Sequence, residues 1–303
     1  MSDGKSKYIP ANILKLDLLT RRFLKGEYSG SYKSIFKGAG LEFDGYRSYT
    51  AEDDASRIDW NASARVNQVV LKEYVEERNL SVVFLLDASA SMFFGTTGTT
   101  KYGYACDFVE SLCYSILGAG DEVGIAIYDD KLRKYLVPRG GNLQQYVIGD
   151  VLRGIEPASN SRFNYAGGLK HIISVRRTPC IIFVVSDFNS VDMGGFDNIT
   201  MRIAEKRHEL IGFMLKDPVD KKLPEGNYVL RVSDPVSGEQ SIIDMDSVRA
   251  DYEKNAHARD EWLKKKFLET NTDLAELDTS KNFFPTLFSF FKMVEKRRSQ
   301  QSK

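Results

Sequence analysis

The sequence predicts an α/β fold, a doubly wound and mostly parallel sheet flanked by helices. Three observations carry this. The runs Ser81–Asp87 and Cys180–Asp187 are almost wholly apolar and each closes on an acid, as expected of strands covered on both faces. From residue 81 onward such strands alternate with helical patterns, the order of βαβ units. At 303 residues, 42% hydrophobic and 28% charged, the chain has a globular composition and enough length for a covered sheet.

Taken in order, residues 10–25 place Ile13, Leu16, Leu19 and Phe23 among charges, which suits a short amphipathic helix. Residues 26–50 are rich in Gly, Ser and Tyr and read as loop and hairpin. Residues 50–65 crowd charges around Trp60, and residues 66–77 alternate like a strand. The buried strand at 81–87 leads to a helix over 101–118, with Tyr104, Phe108, Leu112 and Ile116 in step. A second strand at 123–128 turns at Asp129-Asp130-Lys131 into a hairpin partner at 132–137. Helices follow at 142–153 and 164–176, then the strand 180–187, a helix at 196–207 and a strand at 210–215. A hairpin is expected at 226–243 with Gly238 near its turn, then a charged helix at 246–269 and an edge strand at 272–277. The last helix, 281–295, presents Phe283, Phe284, Leu287, Phe288 and Phe291 on one apolar face. The expected division is an N-terminal extension packed on the core (1–79), the α/β domain (80–216), and a hairpin with C-terminal helices completing the fold (217–303).

Composition excludes several functions. The net charge is zero, with 42 basic and 42 acidic residues, so no overall field favours nucleic acid or an anionic membrane. No apolar run approaches the roughly 18–20 residues needed to span a bilayer. Thr20-Arg21-Arg22-Phe23-Leu24-Lys25 has the twin-arginine look, but Gly26-Glu27-Tyr28-Ser29 follows where an apolar core is required. Cys106, Cys113 and Cys180 are odd in number and widely spaced, which fits small core side chains in a reducing compartment. A cytoplasmic location is expected. There is no Gly-x-x-x-x-Gly-Lys-Ser/Thr loop and no Gly-x-Ser-x-Gly elbow. His171, His208 and His257 are scattered, and each is expected on a surface. The acids and arginines Arg47, Asp53, Asp54, Arg57, Asp59 and Arg65 are expected to pin a loop through Arg forks.

The chemistry concentrates after the first buried strand. Asp87-Ala88-Ser89-Ala90-Ser91 puts alternate oxygens on one side of a tight loop. Ligands of open α/β sheets sit beyond the carboxyl ends of strands, and Asp187 ends a second buried strand there. Two carboxylates and two hydroxyls form most of an octahedral oxygen shell for Mg²⁺ or Mn²⁺. The same residue types also serve simply as backbone caps.

Asp87-Ala88-Ser89-Ala90-Ser91 resembles the metal-ion-dependent adhesion site of von Willebrand factor A domains, and Val185-Ser186-Asp187 resembles its later acidic element; the likeness runs over residues 80–216. Glu42–Tyr49, Glu52-Asp53-Asp54, Arg57-Ile58-Asp59-Trp60 and Ala62–Arg65 look like the signature of the bacterial "domain of unknown function 58" family, and Leu223-Pro224, Gly238-Glu239 and Asp273–Thr279 also fit. The resemblance implies a metal held by Asp87, Ser89, Ser91 and Asp187. It also implies a threonine ligand where Phe163 stands when Ala166-Gly167-Gly168-Leu169 is aligned; Asn164, Ser161 or Ser159 are the substitutes at hand. A weakly held or partner-completed Mg²⁺ or Mn²⁺ is therefore expected. The implied function is a non-enzymatic, metal-dependent interaction module that grips an acidic residue of a partner, a MoxR-type AAA ATPase or its client, in chaperone-like assembly or metal insertion. A metal-dependent hydrolase and a metal-free scaffold with a degenerate site are the alternatives.

Overall fold

The computed structural model describes residues 41–50, 53–76, 80–191, 198–226, 229–234 and 237–301. The helix expected at 10–25 and the start of the hairpin region at 26–40 lie outside them. The chain forms two compact units, one within Tyr28–Asn79 and one carrying Leu80–Lys303.

In the smaller unit, β1 (Leu41–Ser48) precedes a short helix α1 (Trp60–Val66) and pairs antiparallel with β2 (Val70–Glu76). The charge-dense segment between the strands is organised by caps. Asp54 accepts from Ser56 N at 2.9 Å, and Asp59 accepts from Asn61 N and Ala62 N at 3.0 Å, opening α1. Both oxygens of Asp53 take the Arg47 fork, with Nη1 at 2.7 Å from Oδ2. These bonds, then those from Thr50, hold the Asp53 carboxyl below the usual carboxylate range. Trp60, expected at the centre of this cluster, is 68% exposed on α1. The sequence reading missed α1 because its start rests on a cap and not on apolar periodicity.

The larger unit begins with β3 (Ser81–Asp87), buried along its whole length. There follow α2 (Lys101–Gly118), β4 (Glu122–Tyr128), β5 (Leu132–Arg139), α3 (Asn142–Arg153), α4 (Tyr165–Val175), β6 (Ile181–Ser186), α5 (Asn198–Arg207) and β7 (Glu209–Lys216). A one-turn helix α6 (Pro218–Lys221), the hairpin β8 (Val229–Ser233) and β9 (Gln240–Asp244), α7 (Met245–Glu269), β10 (Asp273–Asp278) and α8 (Phe283–Gln301) complete it. The sheet order is β10-β7-β6-β3-β4-β5, parallel throughout except for the antiparallel edge strand β5. This is the doubly wound, von Willebrand factor A-like arrangement expected from the sequence. Residues 217–303 share the unit of residues 80–216, because β10 extends the same sheet beside β7.

Each face of the sheet has its own apolar layer. On one, Phe84, Phe183 and Phe213 run across three strands with centroids 5.3 and 5.4 Å apart, and Phe108 of α2 and Phe290 of α8 close over Phe213. On the other, Val83, Leu85, Ile182 and Val184 meet Leu169 and Ile172 of α4, Met201 of α5 and Phe267 of α7. Gly212 on β7 lets the Phe267 ring lie against the strand, where a Cβ would strike it. Gly238 takes φ 72 in the β8–β9 turn, a left-handed conformation that suits glycine. His208 is a correction: it is buried, with Nδ1 3.3 Å from Cys180 Sγ. Among the described residues no helix is long and apolar enough to cross a membrane.

Candidate functional site

All five parallel strands end on an aspartate: Asp87, Asp129, Asp187, Asp217 and Asp278 follow or close β3, β4, β6, β7 and β10. In each case Oδ1 accepts the backbone N–H two residues on. The donors are Ser89 at 2.7 Å, Lys131 at 3.1 Å, Asn189 at 2.9 Å, Val219 at 3.1 Å and Ser280 at 3.0 Å. A strand that stops leaves N–H groups without a ladder partner, and a short carboxylate supplies one as it turns the chain. A strand-end acid is thus first a turn-former in this fold.

Asp87 and Asp187 are set apart by what joins them. The chain passes from β3 to β4 on one side and later crosses to β6 on the other, so the crevice between β3 and β6 is the topological switch point where α/β ligands sit. Ser186 Oγ donates to Asp87 Oδ2 at 2.6 Å and accepts from Phe188 N at 2.8 Å. Ser91 Oγ donates to Asp187 Oδ1 at 3.1 Å, Ser89 and Ser91 share a hydrogen bond of 3.3 Å, and Ser190 Oγ donates to Ser89 Oγ at 3.4 Å. Asp87, Ser89 and Asp187 are 0% exposed and Ser91 is 6% exposed. Burial first, then the charge of Asp187, pushes the Asp87 carboxyl well above the usual carboxylate range.

The fifth expected ligand lies apart from this network. Asn164 is exposed and caps α4, with Oδ1 accepting from Gly167 N at 2.8 Å and Nδ2 donating to Asp130 O at 3.3 Å. Ser161 Oγ donates to Ala158 O. Phe163 is buried in the core, edge-on to Phe188 at 6.4 Å, and its backbone N–H donates to Ser190 Oγ at 3.0 Å.

The residue that sequence reading missed is Lys101. Its side chain is 2% exposed, and Nζ lies 2.7 Å from Asp187 Oδ2 and 3.1 Å from Asp220 Oδ2. Burial alone would lower its pKa, but Asp187 and Asp220 outweigh burial and hold the ammonium above its ordinary value. One signal was available. Lys101 is the first residue of α2, and a cation at a helix N-terminus opposes the macrodipole, so a lysine there needs another reason. Asn189, which donates to Asp220 Oδ1 at 3.1 Å, and Arg259 complete the surroundings. Arg259 Nη2 donates to Phe188 O, Asn189 O and Val191 O at 2.9, 2.6 and 2.7 Å, tying α7 to the turn after β6.

The four clustered residues do not fit a resident divalent cation in this arrangement. Both Asp87 oxygens and Asp187 Oδ1 already accept hydrogen bonds, and Asp187 Oδ2 is taken by the ammonium at 2.7 Å. Among the described residues no three His, Cys, Asp or Glu side chains converge as a ligand set. A hard cation demands several oxygens at roughly 2.0–2.1 Å, and to use Asp187 Oδ2 it would have to displace the lysine.

The family model described as a protein of unknown function, DUF58, matches residues 45–261. The chain belongs to the DUF58 family. An uncharacterized protein of Mycobacterium tuberculosis is 25% identical to this DUF58 chain over 289 residues, covering 93% of it and 88% of the relative. Among solved structures, an aerotolerance-related membrane protein of Bacteroides fragilis aligns with 71% of this chain and 100% of its own, at 12% identity and a TM-score of 0.49. The conserved hypothetical protein BatB of Bacteroides thetaiotaomicron aligns with 73% of this chain and 98% of its own, at 14% identity and a TM-score of 0.45.

Proposed function

We propose that this DUF58 chain is a non-enzymatic protein-interaction module whose recognition surface is the carboxyl edge of the sheet. The observation that supports this is the buried network linking Asp87, Ser89, Ser91, Asp187 and Lys101 at the switch point. It holds the turns after β3 and β6 in fixed positions and leaves the surrounding side chains to meet a partner. Phe94, 45% exposed, and the exposed Arg162 belong to loops of this edge, and aromatic residues and arginine are the types enriched in interface cores.

Catalysis is the weaker reading. A hydrolase needs a base within reach of its nucleophile. His208 sits beside Cys180 at the opposite, amino end of β6, and His171 packs edge-on to Tyr135 at 4.9 Å.

The partner we favour is a MoxR-type AAA ATPase, on the strength of the family resemblance, with this chain as its adaptor in assembly or metal insertion. Calorimetric titration of the purified chain with the MoxR-type ATPase of the same genome tests this. Direct binding is expected, weakened about tenfold or more by Phe94→Ala or Arg162→Glu. Absence of binding, or binding indifferent to both substitutions, would refute it.

A further inference from the structure

We infer that Lys101 supplies from within the chain the positive charge that a divalent cation would bring to this cleft, so that the cleft works without metal. This goes beyond the interaction reading and stands whether or not a partner docks at the edge.

The geometry carries the argument. The Lys101 ammonium is 2.7 Å from Asp187 Oδ2, the oxygen of that carboxylate that the neighbouring serine and backbone groups leave to it. The second oxygen of Asp187 binds Ser91 Oγ and Asn189 N. The carboxylate is therefore completed on both sides by groups of the chain itself. Asp220 gives the ammonium a second partner at 3.1 Å, and Asn189 Nδ2 holds Asp220 Oδ1 at 3.1 Å. An ammonium has three N–H donors, and these two carboxylates take the charge-assisted bonds it can make in a pocket where its side chain is 2% exposed.

The lysine also comes from a fixed place. Lys101 opens α2, its backbone N–H donates to Phe94 O at 2.9 Å, and Thr100 caps the helix through Gly103 N at 3.0 Å. The stem is thus anchored at both the loop after β3 and the helix start. A divalent cation in the same cleft would face a fixed positive charge beside its main carboxylate. Like charges so close in a region of low dielectric repel strongly.

Removing the lysine should therefore create a metal site. Mn²⁺ binding to the purified full chain, read by electron paramagnetic resonance and by thermal shift in Mn²⁺, Mg²⁺ or chelator, makes the test. The parent chain is expected to show no saturable Mn²⁺ binding and no change in Tm with chelator. Lys101→Ala is expected to bind Mn²⁺ about 100-fold more tightly or better and to be stabilised by it, and Lys101→Ala/Asp187→Asn to lose that gain. If Lys101→Ala does not fold, Lys101→Gln, which keeps a donor without the charge, takes its place. Stoichiometric Mn²⁺ binding by the parent that Asp87→Asn removes would overturn the inference, as would a folded Lys101 variant that gains no Mn²⁺ affinity.

Discussion

Replacing Lys101 by Met tests how much the buried ion pair contributes to the fold. The substitution keeps most of the stem volume and deletes the charge, leaving Asp187 at 0% and Asp220 at 10% side-chain exposure without their cation. At an effective dielectric near 20, separations of 2.7 and 3.1 Å correspond to attractions of about 6 and about 5 kcal/mol. Desolvating each ion costs several kcal/mol, so the intact pair contributes little net. Removing one partner is different, because the buried carboxylate keeps its desolvation cost and loses its attraction. The expected destabilisation is about 3–5 kcal/mol. Urea unfolding followed by circular dichroism measures it, and with a slope near 3 kcal/mol/M the midpoint falls by about 1–2 M. Asp187→Asn in the same background should recover about 2 kcal/mol, because the uncompensated charge is gone while its Oδ1 contacts persist. A loss below about 1 kcal/mol, or strict additivity of the two substitutions, would show that the ammonium does not face the carboxylates as described.

Three further outcomes are expected. His208 is buried, and burial first, then Arg207 and Arg176, lowers its pKa from 6.5 to about 4. The folded state thus binds fewer protons than the unfolded one between those values. Its contribution is intact above pH 6.5 and declines by about 3 kcal/mol as pH falls toward 4; His208→Leu should flatten stability across that window in denaturant titrations. Gly212→Ala drives a methyl into the Phe267 ring and within 2.7 Å of Leu274 Cδ1, and should cost about 1–3 kcal/mol by overpacking, visible as a lower Tm. Arg259→Ala frees three backbone carbonyls in the turn after β6 and should cost about 2–4 kcal/mol. Amide exchange at Asn189 and Ser190 should accelerate, and unchanged exchange would deny the arginine its positioning role.

Much of the larger unit was legible in advance. Strands β3 and β6 were marked by unbroken apolar runs, α2 and α8 by their apolar faces, and the β8–β9 turn by Gly238. The convergence of Asp87, Ser89, Ser91 and Asp187 was also foreseen, because parallel strands put their carboxyl ends on one edge. The capping bond of Asn164 was not, since Asn opening a helix reads equally as ligand or cap, and the bond from Gly167 N appears only in the structure. Nor was the common turn at all five strand ends, which made two of the acids look more singular than they are.

What the sequence alone determined was therefore periodic: which segments are strands or helices, which faces are apolar, and that acids close the buried strands. These follow from local spacing and side-chain chemistry. Tertiary structure decided the charge balance of the cleft. Lys101 meets an acid 119 positions away on the turn after β7, and such a pairing is set by how the strands order themselves in the sheet. That this ammonium reaches both carboxylates is visible only in the folded arrangement.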